Sequence, residues 1–279
     1  MKKTKGKVSP MHLSNSRGFS LIELMVALAI TGFVTSAIFE AFKTQNKNYV
    51  AQDDITNIQQ NTRAAIDELS KQVREAGFGV PGQFPYIYAA NSNPDTITLV
   101  YQAKNCNTTL TASMASTSAA LTCSGALGCF ADGQDAFIYE VDSLKGEFFV
   151  ISQVQAGTGT LQHTSSVFTR KYGANSMVLS LIPAKFYVDF STDPAHPRLM
   201  VKYGTKPAAI YADDVSDIQF RYRMKNGTVL DVPTLAQDVR EVLITLTGRS
   251  GTPDPDKTGP AAYRTRTYSS SACMRNFGS

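Results

Sequence analysis

The sequence predicts an α+β protein. One long N-terminal helix, membrane-spanning in its first half and amphipathic in its second, packs on an antiparallel β-rich head. Three observations predict this. From Phe19 to Phe42 the residues are mostly apolar, and only Glu23 and Glu40 carry charge. From Lys43 to Ala76 charged residues enter, but apolar and small residues recur every three or four positions. Beyond Pro81 the pattern becomes short alternating runs separated by Gly, Pro, Asn and Asp, which is how strands and turns read.

Residues 1–18 form a polar leader with Lys2, Lys3, Lys5, Lys7 and Arg17 and no acidic residue. The 279-residue chain has a formal charge of +4, yet without the leader its 27 Lys and Arg fall to 22 against 23 Asp and Glu, a net of −1. A general affinity for phosphate backbones therefore finds little support, and no nucleic-acid partner is expected. The basic leader stays cytoplasmic under the positive-inside tendency, which sends the remainder to the periplasm or beyond. Residues 19–42 read as a transmembrane or stalk helix, because at ~1.5 Å per residue they cross a ~30 Å hydrocarbon layer. Glu23 stands out. A carboxylate at the centre of a spanning helix costs roughly 2.5–3.5 kcal/mol on insertion scales, and such a residue usually has a partner.

Residues 43–78 continue the helix with a stripe of Ala51, Ile55, Ile58, Thr62, Ala65, Ile66, Leu69, Val73 and Ala76, the spacing of a face laid on a core. Asp67 and Lys71 are a four-residue ion pair on the opposite side. Gly77 and Gly79 stop the helix and Pro81 prevents its resumption. Unbroken from Phe19 to Ala76, 58 residues, it would be about 87 Å long.

Residues 79–279 read as the β-rich head. Residues 80–95 look like a loop. Strands are expected at 96–102, 135–141 and 147–154, the last two joined around Lys145-Gly146, and at 177–182, 186–190 and 198–203, with Pro183 separating the first pair. Further strands at 218–224 and 228–232 flank Asn226-Gly227, a strong hairpin signal, and 241–247 and 262–268 close the series. The Ser-, Thr-, Ala- and Gly-rich stretch 105–131 reads as a variable loop held by disulfides. Cys106, Cys123, Cys129 and Cys273 all lie in the exported portion, where disulfides persist. Three pairings are open; in one, Cys123 and Cys129 clip a local loop while Cys106 and Cys273 tie the C-terminus to the head.

Chemistry-bearing motifs are absent. There is no phosphate loop, nucleophile elbow or His-Glu-x-x-His, so neither an enzyme, a catalytic residue nor a cofactor is expected. The cysteine spacing is wrong for a zinc knuckle, and no metal site is expected. Asp213, Asp214 and Asp217, and Asp254-x-Asp256 in the 250–260 loop, invite calcium but lack the spacing of a calcium loop and read as solvated turn residues. Tyr211, Phe220, Tyr222, Tyr263 and Tyr268 interleave with Arg221, Arg223, Arg264 and Arg266, a pattern that core-facing aromatics and water-facing arginines on strands produce without nucleic acid.

The stretch Arg17-Gly18-Phe19-Ser20-Leu21-Ile22-Glu23-Leu24 resembles the N-terminus of type IV prepilins, with their class III signal, and of type II secretion pseudopilins. The resemblance implies cleavage between Gly18 and Phe19 by prepilin peptidase and N-methylation of Phe19. It also implies that Glu23 answers the α-ammonium of a neighbouring subunit during assembly. An ammonium and a carboxylate inside a low-dielectric bundle each need such a mate. The run Ile58–Gly79, through Asn61, Arg63, Arg74, Ala76, Gly77 and Gly79, is similar to the helix end of PilW-type minor pilins and, less closely, of J-type minor pseudopilins. Residues 217–222 and 239–242 look like later strands of that group. What this implies is a minor type IV pilin acting in pilus initiation or assembly, with a secretion minor pseudopilin as the alternative. Outside the resemblance stands a membrane-anchored periplasmic binding domain. Implied partners are the peptidase, other major and minor pilins, the inner-membrane assembly platform and the lipid membrane. The implied location is a single-pass inner-membrane protein with a periplasmic head, later incorporated into a pilus or pseudopilus on the cell surface.

Overall fold

The computed structural model describes residues 18–275 except 83, 126, 144 and 165–167; the leader through Arg17 lies outside the described residues. One helix, α1, runs Leu21–Glu75, and the chain divides into compact units at 1–52 and 53–279. In the first unit every described residue through Val50 is exposed. The segment is long and apolar enough to cross a membrane. Two of its hydroxyls are satisfied within the helix: Thr31 Oγ1 donates to the Ala27 carbonyl at 2.7 Å and Thr44 Oγ1 to the Glu40 carbonyl at 3.0 Å, the kind of internal bond a helix in lipid needs.

In the second unit the helical stripe is buried at Ile58, Thr62, Ala65, Ile66, Leu69, Ser70 and Val73. The helix stops at two left-handed glycines, Gly77 and Gly79. Gly77 N–H donates to the Val100 carbonyl and Gln102 N–H to the Phe78 carbonyl, both at 2.8 Å, so the stop is also a tether to the head. Thirteen strands follow among the described residues: β1 (Ile87–Ala90), β2 (Thr96–Thr109), β3 (Leu121–Thr122), β4 (Asp135–Glu140), β5 (Lys145–Gln155), β6 (Thr160–His163), β7 (Met177–Asp189), β8 (Arg198–Tyr203), β9 (Ala209–Ala212), β10 (Val215–Met224), β11 (Val229–Leu230), β12 (Val239–Arg249) and β13 (Thr265–Cys273). The α+β architecture expected from the sequence is the one found.

The first sheet has the order β1-β2-β7-β4-β5-β6-β3, with β8 on β7 and β9 on β8; the second has the order β11-β10-β12-β13. All the strand pairs among the described residues are antiparallel. One core takes in α1, the second sheet and one face of the first, including Leu69, Val73, Leu99, Phe137, Phe186 and Ile244. A second core lies on the other face, around Ile138, Val178, Leu110, Phe149 and Tyr172. Strand β4 is therefore buried on both sides, which is why Ala136-Phe137-Ile138-Tyr139 reads as a continuous apolar run rather than an alternating one.

Several expectations change. Residues 87–90 form β1 inside the expected 80–95 loop. Pro183 does not divide two strands but lies within β7. Its carbonyl accepts from Gly204 N–H at 2.7 Å. A strand residue directs N and C=O to the same side, so its missing N–H faces the end of β8, where no ladder needs it. Residues 141–143 form a turn after β4, and Lys145-Gly146 belong to β5. The 105–131 stretch is no mere surface loop. Cys106, Leu110, Met114, Leu121, Cys123, Leu127 and Phe130 enter the second core, and the many small residues between them had diluted their pattern.

Candidate functional site

The N-terminal segment is built by helix capping. Gly18, Phe19 and Ser20 precede the helix and are exposed, Phe19 by 86%. Glu23 N–H donates to Ser20 Oγ at 3.3 Å, and Ser20 N–H donates to Glu23 Oε2 at 3.4 Å. This reciprocal pair is a capping box, satisfying two of the N–H groups a helix start leaves open. The carboxylate also sits where the helix dipole favours negative charge. The sequence carried this signal as Ser20-x-x-Glu23, overlooked beside the question of an intersubunit mate. The arrangement leaves the Gly18-Phe19 bond exposed ahead of the helix, with the carboxylate one turn in.

In the head, the four cysteines do not form two bridges. Cys106 and Cys129 are bonded, and Cys123, buried, and Cys273, exposed, are free. The pairing of Cys123 with Cys129 and Cys106 with Cys273 is thereby corrected: both members of the bridge belong to the second core, while Cys273 ends β13 in the other sheet. Burial pushes the Cys123 thiol up to about 11, against a weaker opposing hydrogen bond with Thr108.

The acidic residues singled out from the sequence pair with protein groups. Asp213 meets Arg198 at 3.0 Å, Asp214 meets His196 at 2.9 Å, and Asp217 accepts from Gln219 at 2.9 Å. Asp254 meets Arg264 at 3.5 Å and accepts from Asp256 N–H at 3.2 Å. Arg264 also reaches Asp54 on α1 at 3.8 Å, and burial raises the Asp54 carboxyl more than Arg264 lowers it. Among the described residues no group of three His, Cys, Asp or Glu stands together. Of the aromatic and arginine series, Phe220 and Tyr222 are buried, while Arg221 pairs with Asp231 at 3.2 Å and Arg223 with Glu241 at 2.7 Å. A cleft of about 250 Å³ holds Lys104, Asp132, Asp135, Tyr203 and Lys206. Asp135 there is engaged by Thr205 N–H at 3.2 and 3.3 Å.

Residues 13–39 match the family described as the prokaryotic N-terminal methylation motif. The match supports a type IV pilin-like protein. No curated protein matches the chain. With the methylation motif at the head of an apolar, exposed helix, membrane anchoring and processing by prepilin peptidase are supported together. A structural, non-enzymatic protein is what such a motif suggests.

Proposed function

We propose that the chain is a minor type IV pilin of the PilW type, acting in the initiation and assembly of a pilus. The observation that supports the pilin-like part is a conjunction: the Gly18-Phe19 junction stands free before an exposed apolar helix, and Glu23 is the one charge between Phe19 and Phe39; the PilW-type part rests on the resemblance of the run Ile58–Gly79. The basic leader holds the precursor with its N-terminus in the cytoplasm and its head in the periplasm. Prepilin peptidase cuts after Gly18 and methylates the new Phe19 amine, which remains a cation. That cation pairs with Glu23 of an adjacent major or minor pilin as the stalk leaves lipid for the bundle at the inner-membrane platform. The head then decides which subunits add next.

Two substitutions test the reading. Glu23→Ala is expected to keep normal removal of residues 1–18, read by intact mass, while its amount in sheared pili falls at least tenfold; assembly at the wild-type level overturns the charge-pairing step. Gly18→Trp is expected to leave precursor of unreduced mass in the membrane. Recovery of the mature chain with a secretion apparatus, and never in sheared pili, would reassign it to a pseudopilus.

A further inference from the structure

The other edge strands of the sheets are short: β1 and β9 have four residues each, and β3 and β11 two each. Strand β13 differs. It has nine residues, Thr265–Cys273, paired with β12 without a register shift and with no strand on its other side among the described residues. Two backbone bonds bracket this ladder, Ser250 N–H to the Arg264 carbonyl at 2.7 Å and Met274 N–H to the Arg240 carbonyl at 3.0 Å. In an antiparallel pair, hydrogen-bonded residues alternate, so Arg266, Tyr268, Ser270 and Ala272 bond to β12. Thr265, Thr267, Ser269, Ser271 and Cys273 then direct their N–H and C=O groups outward. The side chains agree. Thr247 meets Thr267 at 2.9 Å and Thr245 meets Ser269 at 3.3 Å, across the closer pairs that make no backbone bonds.

All five outward residues are exposed and slim. The usual defences of an edge are lysine, proline, a bulge or brevity. Here Arg266 is the single charge and the others are missing. Resting on the pilin-like reading above, we infer that the β13 edge receives an extended strand from a different subunit of the same assembly, by β-strand addition. The alternating outward donors and acceptors are complementary to another polypeptide backbone.

Pairing of β13 with the β13 of a second copy does not fit. Thr62 on α1 lies at Gly248, opposite Arg266, and Ser70 Oγ reaches Ser270 Oγ at 3.2 Å. The helix segment therefore runs alongside β13 in the same direction. Two β13 edges would pair antiparallel about a two-fold axis perpendicular to the sheet, reversing the attached helix. Both chains, however, enter from one membrane with one orientation.

Cys273 supplies the test. A benzophenone maleimide attached to Cys273 of the full-length chain in its native membrane, then photolysed, is expected to give an adduct with one companion subunit, located by mass on an extended segment. Cys273→Ser is the background. Ser269→Pro removes an outward N–H without touching the β12 ladder, and is expected to cut the adduct at least tenfold. Ser269→Ala, with the backbone intact, is expected to stay within twofold of wild type. Amide exchange across β12 confirms that both variants keep the sheet. An adduct with a second copy, no adduct above background, or an adduct unchanged by Ser269→Pro overturns the inference. If companions still co-purify through the stalk without a Cys273 adduct, only the edge fails; if no companion co-purifies, the assembly reading falls with it.

Discussion

Glu23 is asked to do two things, and the two can be separated. Within its own chain it closes a capping box with Ser20, an interaction for which loss of the Ser/Thr/Asp/Asn cap elsewhere costs ~0.5–2 kcal/mol. Between chains, under the proposed assembly, its charge answers a methylated ammonium. Glutamine keeps the first and abolishes the second, since a capping box accepts Glu or Gln at this position. Glu23→Gln is thus expected to retain the helical start, read by amide exchange at residues 21–24 of the detergent-solubilised protein, and yet to assemble as poorly as Glu23→Ala. If Gln instead assembles like wild type, capping explains the residue and the intersubunit charge pair is unnecessary.

At the scale of elements, one close approach of helix to sheet in the head is made possible by a missing side chain. A Cβ on Gly248 of β12 would fall 2.1 Å from Thr62 Oγ1 and 3.0 Å from Ile58 Cγ2. Here α1 presses on the second sheet, and neither partner is the free end of a long flexible chain. Gly248→Ala is expected to cost about 1–3 kcal/mol, the range for overpacking a filled interior, read by the denaturant midpoint of the head. Adding Thr62→Ala, which opens that space, is expected to return part of the loss, giving a non-additive double-mutant cycle. The stripe that brings α1 here was legible in the sequence because a helix buried on one side repeats its apolar residues at 3.6. Its partner was not. Nothing about Gly248 in Thr-Gly-Arg says that a helix lies above it. The same distinction explains the strands. Those with one wet face, such as β10 and β12, alternate and were found. Strand β1, four residues long, and the parts of the second core within 105–131 were hidden by small polar neighbours. At the candidate site the spacing of Gly18, Phe19 and Glu23 was legible, whereas the capping box was missed although Ser20-x-x-Glu23 carried its signal. The cysteine pairing was not, since it depends on which strands adjoin.

For the whole molecule, the two cores predict two responses. The disulfide Cys106–Cys129 belongs to the second core, as does the buried Cys123 thiol, whereas α1 and the second sheet belong to the first. A bridge closing a loop of this size, separation 23, contributes about 2–4 kcal/mol, chiefly by restricting the unfolded chain. Replacing both bridge cysteines by serine should therefore loosen the second core first, leaving amide protection of β10 and β12 close to wild type. Cys123 reports the opening. Burial holds its proton, so the folded thiol titrates near 11 against an ordinary value of 9.0. The folded state binds that proton more tightly, so this site's contribution to stability is whole below pH 9 and is lost as the pH climbs from there to about 11. In the native chain at pH 8, iodoacetamide should modify exposed Cys273 and spare Cys123. In the Cys106→Ser/Cys129→Ser variant, Cys123 should become reactive at the same pH, at least tenfold faster, while the β12 amides hold. If both regions open together, the head unfolds as one unit and β4, buried between the two cores, couples them too strongly for the bridge to act on one alone.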